Sequence, residues 1–317
     1  MKKALISAAI LVGFAGAAQA QMTIYGLLDA SVGKSVYDDA AGLKTDFHSG
    51  GDGGSSEGNS TSRFGIKGSM DVGSGFKANF KLESNGITSD GEVNDPFFGR
   101  QAWFGFSGDF GEVRFGRQDS VPFQTMIGYD FNGASNGVSS LGYASVGPWL
   151  PGRQSRSLQY LSPSFAGVTF QVGFVPKGNV DGAKDTLSAG VTYAAGPLSV
   201  SAAVESKRED GGANFGSVAA SYDFGVVKAM AAYTDGAEGV KGYSLGVVAP
   251  VAGFSIGGLV GKNSDTKGVA YEFFINKEVL KNTYAYFEVG HADKKAMASF
   301  ELDKAGTGYA LGVIYAF

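Results

Sequence analysis

Apolar and polar residues alternate along this chain with a period of two. Phe76, Ala78, Phe80 and Leu82 share one face of a strand, with Lys77, Asn79, Lys81 and Glu83 on the other. Phe64, Ile66, Met70 and Val72 oppose Arg63, Lys67, Ser69 and Asp71 in the same way. The pattern returns at Val168, Phe170, Val172 and Phe174, and again at Leu198, Val200, Ala202 and Val204. Side chains of a β-strand point alternately to opposite faces, so these segments read as strands. A soluble sandwich turns the polar face outward, whereas a membrane barrel turns it inward to water. Alternation alone does not separate the two.

Connection lengths do. About sixteen alternating segments, the even number of a bacterial barrel, are joined by links that switch between short and long. The short links centre on 71–75, 108–111, 162–164, 195–197, 223–225, 249–251 and 281–282, and all but the last carry Gly or Pro. The long ones run roughly 35–58, 85–98, 119–152, 176–184, 206–213, 235–241, 263–267 and 291–305. Hairpins between all neighbours let the sheet close, removing the open edges that lipid does not tolerate. The expectation is an all-β fold: a 16-stranded antiparallel transmembrane β-barrel. Short turns and both termini would face the periplasm and long loops the cell exterior. The final segment, with Tyr309, Leu311, Val313, Tyr315 and Phe317 on one face, suits an interfacial aromatic girdle.

Composition and charge fit that picture. Of 317 residues 50 are Gly and none is Cys, which excludes disulfides, thiolate metal sites and Cys nucleophiles. Lys2 and Lys3, the apolar stretch from Ala4 to Ala17 and the Ala18-Gln19-Ala20 pattern read as a signal peptide over residues 1–20. The barrel then occupies residues 21–317. Losing Lys2 and Lys3 leaves 24 basic against 30 acidic residues, so no basic excess argues for nucleic acid. His48 and His291, the two histidines, have no Ser or carboxylate at a triad-like spacing. Asp90, Glu92 and Asp95 lack the spacing of a Ca²⁺ loop. The reading contains no catalytic residue, metal or cofactor.

Several segments also resemble one family, the trimeric general porins of the beta-proteobacterial type. Residues 22–29 (MTIYGLLD) resemble its first strand, and 61–68 (TSRFGIKG) running on to 75–78 (GFKA) its second hairpin. Residues 100–105 (RQAWFG) and 108–118 (GDFGEVRFGRQ) are similar to its fourth and fifth strands, and 156–163 (RSLQYLSP) to the segment leaving its constriction loop. The resemblance covers about residues 22–175 and the C-terminal strand; between them only the rhythm of strand lengths is shared. It implies a homotrimer in outer-membrane lipid and lipopolysaccharide, with the third loop of each barrel folded inward. The longest link, 119–152, carries Phe123, Tyr129, Phe131, Tyr143, Trp149 and Leu150, apolar enough to pack on a wall.

The resemblance places constriction arginines at Arg63, Arg100 and Arg153, with Arg156 close by, and carboxylates opposite them at Asp119 and Asp130. Arg63 fits the inward face by its own alternation. Arg100 shares parity with Phe104 and Phe106, so either a bulge intervenes or those rings face inward. Lys67, Lys77 and Lys81 would extend a basic ladder along the pore wall, or pair with Glu83 and Asp71. The expected function is passive diffusion of small hydrophilic solutes and ions through a water-filled pore. A unit charge at ~8 Å in water is worth ~0.5 kcal/mol, so three arginines give at most ~1.5 kcal/mol, about a tenfold anion preference. Screening over ~8 Å and the two carboxylates make that preference modest. The alternatives are a saturable channel for oligosaccharides or organic acids with Trp149 and Phe131 as a stacking track, an adhesion barrel with a plugged lumen, and a barrel enzyme.

Overall fold

The computed structural model describes residues 21–52, 58–133, 136–145, 151–236 and 241–317. The expected signal peptide, residues 1–20, lies outside the described residues, as do Trp149 and Leu150 of the third loop. In chain order the strands are β1 (Gln21–Lys34), β2 (Asp46–Ser49), β3 (Arg63–Gly73), β4 (Phe76–Glu83), β5 (Gln101–Gly108), β6 (Gly111–Asp119), β7 (Arg153–Leu161), β8 (Val168–Val175) and β9 (Thr186–Ala195). They continue as β10 (Leu198–Glu205), β11 (Phe215–Asp223), β12 (Lys228–Asp235), β13 (Lys241–Val251), β14 (Phe254–Asn263), β15 (Val269–Leu280), β16 (Thr283–Ala292) and β17 (Gly306–Ala316).

All pairings are antiparallel between chain neighbours, apart from those that close the ring around β1. The first half of β1 pairs with β3 from Gln21↔Ser69 to Leu27↔Arg63, and its second half pairs with β17 from Leu27↔Ala316 to Lys34↔Tyr309. The short β2 lies along β1 beyond the end of β3, from Ala30↔Ser49 to Gly33↔Asp46. Setting β2 aside from the 17-stranded sheet leaves a closed ring of sixteen strands. Closure gives every barrel strand a hydrogen-bonded neighbour on both sides along most of its length, which lipid demands.

The seven expected turns all occur, with two displaced; β7 and β8 bend at Ala166 and Gly167, with φ of 50° and 88°, just past Ser162-Pro163-Ser164. Ala249-Pro250-Val251 is not the turn itself: Pro250 pairs with Ser255 inside the β13–β14 ladder, and Ala252 and Gly253 make the bend with φ of 51° and 80°. Positive φ at both central residues is the two-residue geometry that matches strand twist. Pro250 is tolerated because β12 pairs with β13 only as far as Lys228↔Val248, leaving that side of β13 without a neighbour.

Outward apolar side chains form the lipid face; Ile24 is 69% exposed, Leu245 54% and Leu311 64%. The inner face is polar along β1 to β7 but departs from strict alternation further round. Phe215, Met230, Leu259 and Phe274 point inward and are buried against Met126, Tyr129 and Leu141 of the third long loop. That loop begins with α2 (Val121–Met126), capped by Ser120, whose Oγ accepts from the Phe123 N–H. The helix packs inside the barrel on β8 to β11, and the segment Leu141–Ser145 on β13 to β15. A second apolar cluster joins α1 (Val36–Ala41) of the first long loop, Ala144, and α3 (Lys294–Met297) of the last. The third loop is therefore folded inward and fixed to one wall by burial.

Candidate pore constriction

The inward loop leaves the wall formed by β1 and β3 to β7 facing the open lumen, and its side chains follow from strand register. Tyr25, Gly65, Glu83 and Gln101 form one row across four strands. A Cβ at Gly65 would come within 2.5 Å of the Tyr25 Oη, so the absence of a side chain there lets the phenol cross β3. Tyr25 then donates to Glu83 Oε2 at 2.7 Å. Glu83 also accepts from Arg100 Nε at 2.8 Å and pairs with Lys81 Nζ at 3.2 Å. This buried carboxylate organises the basic cluster.

Arg100 reaches the lumen although Phe104 and Phe106 face lipid, at 56% and 44% exposure. Of the two alternatives left by its parity, neither applies. Regular pairing of β5 starts at Gln101, so the strand's alternation does not bind the residue before it. Arg153 opens β7 opposite Asp119, with Nε 3.2 Å from Oδ1, and the Gln101 amide donates to the other carboxylate oxygen at 2.9 Å. The neck of the loop is closed beside them by the Ser120 N–H to Gly152 carbonyl bond of 2.9 Å. Arg63 donates from Nη1 to the Thr61 carbonyl at 2.6 Å and lies at 3.3 Å from Ser60 Oγ. Among the described residues Arg63 forms no ion pair within 4.0 Å.

Two expected site residues lie elsewhere. Arg156 is exposed, at φ 57°, in a two-residue bulge between Gln154 and Ser157, where β7 pairs irregularly with β6. Its guanidinium lies beside Gly178 of the following loop, not with Arg63, Arg100 and Arg153. Asp130 does not face the arginines across the lumen either. It is buried where the loop meets the wall, accepting from the Asn132 N–H at 3.0 Å and the Ser139 hydroxyl at 3.1 Å. Lys67, Lys77 and Lys81 do share the inner face of β3 and β4; Lys77 stands opposite Asp71 in register, and Lys81 is the one paired with Glu83.

The acidic underside of the loop was missed from sequence. Glu288 accepts from the amides of Asn59 and Asn132 at 2.8 and 2.9 Å, Glu272 accepts from the Ser140 N–H, and Asp29 accepts from Tyr286 Oη at 2.7 Å. These groups tie the first and third loops to β1, β15 and β16. Their inward parity was readable; that a loop would cover them was not. Burial raises the Asp130 carboxyl above its ordinary range. Among the described residues no cluster of His, Asp and Glu suits a metal ion.

Comparison with known proteins agrees with this architecture. The Gram-negative porin family matches residues 7–297. An outer membrane porin protein of Bordetella pertussis is 32% identical over 297 residues, covering 81% of this chain and 76% of the relative. Outer membrane porin protein 32 of Delftia acidovorans is 33% identical over 281 residues, covering 80% and 77%. Among solved structures, an anion-selective porin from Comamonas acidovorans superposes with a TM-score of 0.74 at 26% identity, covering 94% of this chain and 100% of that one. With sixteen strands, an inward third loop and a polar lumen wall, the chain belongs to the Gram-negative porin family and is a diffusion channel of the outer membrane.

Proposed function

We propose that the channel passes small hydrophilic solutes and ions with a modest anion preference set by Arg63, Arg100 and Arg153. The observation that carries this reading is an imbalance of charge. Glu83 holds Arg100 and Lys81, Asp119 holds Arg153, and Arg63 has no ion-pair partner among the described residues. Four cations against two carboxylates leave two positive charges in excess where the inward loop narrows the lumen. Asp119 and Glu83 temper the field and fix the arginines in place. The anion selectivity named for the Comamonas acidovorans porin supports the same sign. Arg156 and Asp130 have no part in it.

The chain is exported by a signal peptide over residues 1–20, assembles as a homotrimer in lipid and lipopolysaccharide, and carries out no reaction chemistry. Its long loops face outward and its short turns the periplasm. A band of trimer size from unheated protein, running slower than the heat-denatured monomer, tests assembly. For selectivity, the Arg63→Glu/Arg153→Glu double variant is expected to lose its preference for chloride in a bilayer under a KCl gradient. An unchanged reversal potential would remove both residues from the mechanism.

A further inference from the structure

On the short-turn side of the arginine row, the inner wall places two lysines directly opposite each other. Lys67 of β3 pairs in register with Lys81 of β4, between Thr23 of β1 and Trp103 of β5. Like charges directly opposite destabilise an antiparallel pair. Both ammonium groups nevertheless lie over the same Tyr25 ring, at 5.2 and 5.6 Å from its centroid. The electron-rich ring attracts each cation and keeps both beside one side chain. Tyr25 is fixed there by its bond across Gly65 to Glu83.

A recess of about 520 Å³ opens on these lysines, with Thr23, Ser69, Asn79 and Trp103 around it. The acid at its edge, Glu112, is already engaged by Arg114 Nε at 2.9 Å and the Asn79 amide at 3.1 Å. Arg114 in turn stacks over Trp103, 4.5 Å from the ring centroid. The acid nearest Lys81 is Glu83, which it shares with Arg100 and Tyr25, and Lys67 has no ion pair among the described residues. Two ammonium groups on one recess, with hydroxyl and amide side chains beside them and no free carboxylate, make a pocket for a negatively charged group.

We infer that Lys67 and Lys81 form a transit subsite for a small oxyanion, a carboxylate or a phosphate, one row beyond the arginines. The inference rests on the anion-preferring reading above and adds a binding step to it. An oxyanion between the lysines offsets their repulsion and pauses before release. Such a channel saturates with oxyanions while chloride, smaller and without paired oxygens, passes in proportion to its concentration.

Single-channel conductance against concentration, in potassium chloride, acetate and phosphate, tests this in the wild type, Lys67→Gln and Lys67→Arg. Conductance is expected to plateau in acetate, phosphate or both, and to stay proportional in chloride. A plateau in acetate alone assigns a carboxylate site, and in phosphate alone a phosphate site. Lys67→Gln should raise the half-saturating concentration about fivefold, the scale of one solvent-exposed ion pair, and Lys67→Arg should restore it. Proportional conductance in all three salts, or saturation unchanged by Lys67→Gln, overturns the subsite. The reversal potential in KCl, read on the same channels, reports the arginine row separately. Its failure there with saturation intact would discard the selectivity reading alone.

Discussion

Glu83 and Arg63 carry opposite charges in one cluster, so neutralising them one at a time should move ion selectivity in opposite directions. Glu83→Gln leaves three positive charges in excess and Arg63→Gln leaves one, against two in the wild type. At ~8 Å in water a unit charge is worth ~0.5 kcal/mol, so the wild-type excess of ~1 kcal/mol enriches anions about fivefold before screening. Each single substitution then changes that enrichment by a factor of ~2, upward for Glu83→Gln and downward for Arg63→Gln. The double variant should return close to the wild type. Glutamine removes the charge at nearly constant shape, and its single amide oxygen can keep one of the two bonds that Tyr25 Oη and Arg100 Nε make to separate oxygens of Glu83 at 2.7 and 2.8 Å. The assay is the reversal potential across a bilayer under a tenfold KCl gradient. Repeating it at higher ionic strength should shrink both shifts, as the screening length falls from ~10 Å at 0.1 M to ~3 Å at 1 M. Shifts of the same sign, or a Glu83→Gln channel that turns toward cations, would refute the charge arithmetic.

Other outcomes follow from how the inward loop is held. Met126 is buried between the loop and β11 to β15, so Met126→Ala should weaken docking by about 2–5 kcal/mol and raise the permeation of larger sugars in liposome swelling. Burial raises the Asp130 carboxyl, and Glu272 and Glu288 face it, so the docked loop holds that proton more tightly than a released one. Docking is then firmest at low pH and weakens as pH rises through the elevated value. Conductance fluctuations should grow with pH in the wild type, and that dependence should shrink in Asp130→Asn. Gly65→Val would drive a side chain into Tyr25. It should break the Tyr25–Glu83 bond, worth about 1 kcal/mol, and lower the temperature at which the folded band is lost on a gel.

Much of the fold was legible because a membrane barrel repeats one physical rule along the whole chain. Phe76 to Glu83 alternates cleanly in sequence since one face meets lipid and the other water, and in the structure these residues form one strand, β4, whose Asn79, Lys81 and Glu83 pair on the inner face. The rule fails at Phe273 and Phe274, adjacent apolar residues of β15, because the third loop covers Phe274 from inside. A period of two has no means of announcing that a distant loop will bury one strand's inner face. The length and apolar residues of 119–152 hinted at it, but not at the wall it would choose. The constriction divides along the same line. Arg63 was placed by its parity and Arg153 stands at its strand's first residue, whereas Arg156, three residues on, was displaced by a bulge. Asp130 was assigned to the lumen because it is an acid in that loop, yet Asn132 and Ser139 bind it on the buried side. Local irregularity and long-range cover decided the misses.

The central claim, a water-filled pore whose inward loop faces a net positive wall, is tested most directly by the wild-type reversal potential in a bilayer under a KCl gradient. The account predicts stepwise openings and a potential displaced toward the chloride equilibrium. A potential displaced toward potassium, with the barrel correctly folded, would contradict the charge assignment. An absence of conductance would contradict the open lumen itself.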